Sequence, residues 1–259
     1  MLNPFNNPEV QEQLSVLFSN LAGDIWATLY STVLATIFAY IIGLPLGILL
    51  VTGEKGGVRP LPGALMKVLN FVINILRSVP FLILMIMAIP LSRLILGTSV
   101  GTNAMIPPLV IAAFPFVARM VESSLREVDH GVLEAAQAMG ASPFQIVRKV
   151  LLPEALPSLL TSATTVTITI LGYGAMAGII GGTGLGATAI NYGYYRTQLV
   201  LEYCAVIALV LLVQVVQTAG TRTAVGSDKR LTKGGRRRAR REAGRQVNRD
   251  KRDITRTLH

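Results

Sequence analysis

From Ile25 to Val51 the chain runs without a single charged side chain, and it does so again from Leu156 to Ile180. A run of about 20 apolar residues is long enough to cross the roughly 30 Å hydrocarbon core of a bilayer as a helix. Inside lipid every backbone N–H and C=O must be satisfied within the protein, which restricts uncharged spans of this length to helices. Three further stretches are nearly as apolar, at about 61–96, 105–121 and 199–217. With 51% hydrophobic residues and a mean hydropathy of +0.54, the sequence predicts an all-α polytopic membrane protein of about five transmembrane helices.

The stretches differ in their chemistry. Trp26 and Tyr30 suit an interfacial anchor at the start of the first span, and Pro45, between Gly43 and Gly47, is expected to kink its far end. The 61–96 stretch is too long for one straight crossing. The segment Arg77-Ser78-Val79-Pro80 is expected to break it. Arg77 is thereby a charge at or near membrane depth, either a functional residue or one that snorkels or pairs with a carboxylate. Residues 97–104 read as a loop. Three prolines, Pro107, Pro108 and Pro115, predict a bent third span whose freed carbonyls need partners. The fourth span is rich in Thr, Ser, Gly and Ala, which serves close helix packing and pore lining equally. The glycine-rich stretch at 181–198 reads as a loop, with no preceding strand that would make it a phosphate cradle.

Charge is unevenly placed. Residues 222–259 hold fourteen Lys/Arg and four Asp/Glu, whereas the two signs balance over 1–221. This divides the chain into a transmembrane domain, 1–221, and a basic cytoplasmic tail, 222–259, with a disordered composition. The tail suits anionic lipid headgroups, and no aromatic platform accompanies it that would favour nucleic acid. Residues 1–20 carry Glu9 and Glu12 but no Lys or Arg, so they are expected to be a short amphipathic lead-in rather than a secretory signal. Basic residues gather at 52–67, at 119–154 and in the tail, and the other loops have one each. The positive-inside rule then puts the N-terminus outside and the tail in the cytoplasm.

One polar stretch interrupts the apolar pattern, residues 122–154. Asp129 is a plausible N-cap for a short helix that Gly140 would close. Ser142 followed by Pro143 then starts a second helix, expected to end just before Pro153. No phosphate-binding loop, HExxH or GxSxG motif occurs, the histidines are His130 and His259, and Cys204 is the one cysteine. No catalytic residue, metal ligand or cofactor site of its own is therefore expected, and the chain reads as a conduit.

The polar stretch carries Glu134, Ala135, Ala136, Gly140, Val150, Leu152 and Pro153 in the spacing EAA-x3-G-x9-I-x-LP, with valine in place of isoleucine. This resembles the motif of bacterial ABC importer permeases. NILRSVPF at 74–81, AAFPFVARMVE at 112–122, AMGASPFQIVRKVLLPEALP at 138–157 and ILGYGAMAGIIGGTGLG at 170–186 resemble, more narrowly, the permease subunit of the methionine ABC importer. The resemblance covers about residues 20–220 and leaves the tail outside it. It implies the type I importer permease fold, with the motif forming a cytoplasmic coupling-helix hairpin seated on a separate ATPase. It also implies a second copy of the chain, two ATP-binding subunits, which would bind the ATP, and an extracytoplasmic binding (lipo)protein. Arg77, Pro80, Tyr173 and Met176 are the expected pathway residues. Tyr173 and Met176, three apart on one helix face, are equally consistent with core packing. The competing readings are a permease for another amino acid or an osmoprotectant, and an ion-driven secondary transporter. The latter usually carries more spans, internal repeats and midplane acids, none of which is visible.

Overall fold

The computed structural model describes residues 8–227, and every regular element in them is helical. Helix α1 (Pro8–Thr52) is followed by α2 (Gly63–Ser78), α3 (Phe81–Leu96) and α4 (Thr102–Arg126). The polar segment forms α5 (His130–Ala138) and α6 (Pro143–Ile146). A π-helical turn (Val147–Leu151) then leads into α7 (Leu152–Met176), which ends in a 3-10 turn (Ala177–Ile180). Helix α8 (Leu185–Thr188) continues as a second π turn (Ala189–Tyr194), and α9 (Leu199–Ser227) closes the described chain.

Four stretches are long and apolar enough to cross a membrane: Ser19–Thr52, Thr102–Arg126, Pro143–Ile180 and Leu199–Ser227. Helices α2 and α3 meet the same length and hydropathy test only when taken together, as a pair bent by 107°. The break falls at Val79-Pro80, where the sequence predicts it. Val79 is extended (φ −74°, ψ 130°), as a residue before proline prefers, and Pro80 caps α3.

Helix α4 is the hub. It packs along α1 and also meets α2, α3 and α7. Met105, Leu109, Ala113, Val117 and Val121 form its buried stripe, joined in the core by Ala35 and Ala39 of α1 and Val166 and Ile170 of α7. The α1–α4 contact is close because Gly43 and Gly47 lie one turn apart. A Cβ at Gly47 would stand 2.7 Å from the Ala118 carbonyl oxygen, and one at Gly43 2.7 Å from Val117. Pro45 and the three α4 prolines lie inside helices that remain continuous through them.

Three sequence expectations are corrected. The second hairpin helix does not end before Pro153. The π turn shifts the hydrogen-bonding frame there, with Leu152 N–H donating to the Val147 carbonyl, and the helix continues through Pro153 into α7. Residues 181–198 are not an open loop, since 185–194 are helical and residues 184–188 are buried. The loop at 97–104 is shorter than expected because α4 begins at Thr102. Helix α9 runs to Ser227. The rest of the tail, and the first part of the lead-in, lie outside the described residues.

Candidate functional site

The polar segment is a hairpin built by local signals. Asp129 caps α5 by accepting from the Gly131 N–H at 2.7 Å. Gly140 takes the left-handed conformation (φ +76°) that reverses the chain, which a side chain at this position would oppose. Ser142 and Gln145 then form a reciprocal capping box around Pro143 at the first turn. Such caps contribute about 1 kcal/mol each, enough to hold a turn that has little core of its own.

Within this frame Ala136 and Ile146 are buried against the body, while Glu134, Ala135 and Gly140 are exposed. Met139 and Phe144 flank the turn at 81% and 70% exposure. Two large apolar side chains standing free on a rigid polar turn form a knob without a socket among the described residues. Val150 and Leu152 are half-buried where the hairpin joins the span, and Pro153 is exposed. Helix α6, the π turn and α7 are one uninterrupted helical stretch, so a push on the hairpin acts directly on the span. Glu134 also lines a cavity of about 300 Å³ between the hairpin and the α1–α2 turn, with Glu54, Arg126 and His130.

The break between α2 and α3 creates a second feature. Arg77, Pro80, Phe81, Phe116 of α4 and Tyr173 of α7 line a cavity of about 360 Å³. The Phe81 and Tyr173 rings stack with centroids 3.6 Å apart and planes 11° from parallel. The structure thus brings three of the four expected pathway residues together. Met176, about half exposed, is not among the residues lining this cavity. Arg77 is exposed, with no ion pair among the described residues.

Sequence reasoning missed a polar chain on α4 that joins it to α2 and to the α1–α2 turn. Arg119 donates to Glu122 at 2.6 Å and to the Asn70 and Asn74 amide oxygens at 2.8 and 2.9 Å. Glu122 also accepts from Arg126 at 2.8 Å, and Arg126 grips both carboxylate oxygens of Glu54, one at 3.0 Å. Two asparagines four apart in an apolar stretch were the available signal, because they fall on one face of α2. Elsewhere, Thr188 donates to Asp24 at 2.6 Å and Leu185 N–H to Thr28 at 3.0 Å, pinning α8 to α1. No group of three or more potential metal ligands occurs among the described residues.

Comparison with known proteins agrees with this architecture. Residues 43–233 match the family described as binding-protein-dependent transport system inner membrane component. A probable D-methionine transport system permease protein, MetI, of Vibrio cholerae is 50% identical over 196 residues, covering 75% of this chain and 86% of that protein. The D-methionine transport system permease protein MetI of Escherichia coli K12 is 47% identical over 158 residues, covering 61% and 72%. Among solved structures, an inward-facing conformation of the MetNI methionine ABC transporter superposes with a TM-score of 0.80 at 43% identity, over 82% of this chain and 98% of that one. An amino acid ABC transporter at 19% identity and a TM-score of 0.64 shares the fold. The chain belongs to the family of binding-protein-dependent transport system inner membrane components, as a multi-pass permease of the kind found in methionine ABC transporters.

Proposed function

We propose that this chain is the membrane-spanning subunit of an ATP-driven methionine importer. Two copies form the pathway, two ATP-binding subunits sit beneath them, and an extracytoplasmic binding protein delivers the substrate. The observation that carries the reading is the exposed Met139–Phe144 knob on a capped, rigid turn continuous with a span. The 43% identity to the permease chain of the inward-facing MetNI transporter supports the choice of substrate. In this reading Glu134, Ala135 and Gly140 form the docking surface, Ala136 seats it on the body, and Val150, Leu152 and Pro153 join it to α7. The gathering of basic residues on the hairpin side supports a cytoplasmic hairpin and C-terminus, with the N-terminus outside. ATP is bound and cleaved on the partner, and this subunit supplies two packings of similar energy between which the cycle moves.

Arg77, Pro80 and Tyr173 are the pathway residues. Their cavity combines a guanidinium for a carboxylate with aromatic walls that suit a thioether. Met176, about one turn beyond Tyr173, would meet substrate where the second copy closes the pathway.

The test is uptake of labelled methionine into vesicles holding the permease with its ATP-binding subunits. Uptake should require ATP and survive an uncoupler, and unlabelled methionine should compete better than other amino acids. Loss of uptake on collapsing the ion gradient would sink the reading. Gly140→Val should insert normally yet lose the ATP-binding subunits on purification, since the left-handed turn excludes a β-branched residue.

A further inference from the structure

The hairpin reaches the cavity at 77–81 by two unequal routes. One is covalent, through α6, the π turn and α7, and it ends at Tyr173 stacked on Phe81. The other half of the cavity wall, Arg77 and Pro80, belongs to the end of α2 and the break after it, which no continuous helix joins to the hairpin. What joins α2 to α4, beyond a small apolar cluster of Met66, Ile73, Leu50 and Ala118, is the fork of Arg119 on Asn70 and Asn74. Asn74 lies one helical turn from Arg77. At the other end of the same polar chain, Arg126 is the last residue of α4 before the hairpin.

We propose that Arg119 and Arg126 are positioning residues of the transport cycle, the polar link that carries hairpin displacement into α2 and so moves the Arg77–Pro80 wall of the cavity. Apolar helix faces in lipid have no hydrophobic force holding them in register and can slide past one another. Charge-assisted hydrogen bonds are directional and do not slide. Glu122, whose side chain is 10% exposed, takes a hydrogen bond from each arginine within α4, which holds both guanidinium groups against that helix. Arg119, at 18%, holds Glu122 with one guanidinium nitrogen and both asparagines with the other, a fork a lysine cannot reproduce. The four charges sum to zero, which permits the chain to sit against a span.

The inference rests on the reading of this subunit as an ATP-driven permease. Its test uses the full-length permease with its ATP-binding subunits in vesicles, measuring methionine uptake and ATP hydrolysis together. The double variant Asn70→Ala/Asn74→Ala removes the α2 end and leaves every ion pair on α4 intact. It should keep hydrolysis within twofold and lower the methionine taken up per ATP by tenfold or more. Arg119→Lys keeps the charge beside Glu122 but loses the fork, and should stay uncoupled likewise. Uptake per ATP within twofold of the unaltered protein in both variants would overturn the proposal. So would a proportional fall of uptake and hydrolysis, which marks a purely structural role. If the unaltered complex shows no ATP-dependent methionine uptake, the functional reading fails instead.

Discussion

Helices α4 and α9 are both apolar enough to span a bilayer, yet the less hydrophobic of them is the one inside. The most apolar window of α4 has a mean hydropathy of 1.8 and is 61% buried, against 2.6 and 11% for α9. In water the order would be reversed. In lipid the outer surface meets a solvent as apolar as leucine, so hydrophobicity does not drive a helix inward. What decides burial is shape and polar pairing. Helix α4 offers a stripe of Val, Ala and Leu that α1 can approach through two glycines, and it carries Arg119 and Glu122, which need partners. Helix α9 presents Tyr203, Ile207, Leu211 and Val215 outward and touches the body along one strip.

The contrast is tested most severely on α4. Leu109 is 1% exposed, and its truncation leaves a cavity among Met105, Ala113 and their neighbours. Leu109→Ala should destabilise the folded subunit by about 2 kcal/mol, the low end of the usual range, because the lipid-solvated reference loses packing but gains no water contact. Thermal unfolding in detergent, followed by size-exclusion recovery, measures it. An unchanged midpoint would mean that α4 is not the hub.

How much of this was legible beforehand depended on the range of the interactions. The hairpin could be read because its determinants are local: Asp129, Gly140, Ser142 and Pro143 act within four residues of themselves. The break at Val79-Pro80 was legible for the same reason. The end of the hairpin was misjudged at Pro153 because a proline stops a helix only if its hydrogen-bonding frame is kept, and the π turn changes it. Residues 185–194 are glycine-rich, and glycine in a sequence does not tell conformational freedom from close packing. At Gly186 it signals crowding instead, since a Cβ there would lie 2.2 Å from the Ala175 Cα. The Arg119 fork and the Arg126 clasp were out of reach, because their partners, in α2 and in the α1–α2 turn, lie 45 to 72 positions away in the chain. In the candidate site, then, the docking surface was written in the motif, whereas the cavity wall and its polar link exist only after packing.

A finer probe looks for the strip on which α9 does touch the body. Gly220 meets Thr164 of α7 so closely that a Cβ would stand 2.0 Å from its hydroxyl oxygen and 2.7 Å from its own Cβ. Rotation of Thr164 cannot relieve both contacts. Gly220→Ala should therefore cost about 1–2 kcal/mol by overpacking, although alanine is the better helix former. A gain in stability would mean that α9 can drift from α7, and the close approach would lose its importance.

The smallest expected effect completes the comparison. Leu211 is the same residue type as Leu109, on a helix of higher hydropathy, but it is 60% exposed and has little of this chain against it. Leu211→Ala removes no packed neighbour and leaves no cavity, so it should change the unfolding midpoint by no more than a surface substitution does, about 0.5 kcal/mol or less. The measurement must be made on the single subunit and on the assembled complex. A loss confined to the complex would place the outer face of α9 against a second chain rather than lipid, whereas a loss in both would show that α9 is held to the body more tightly than its exposure indicates.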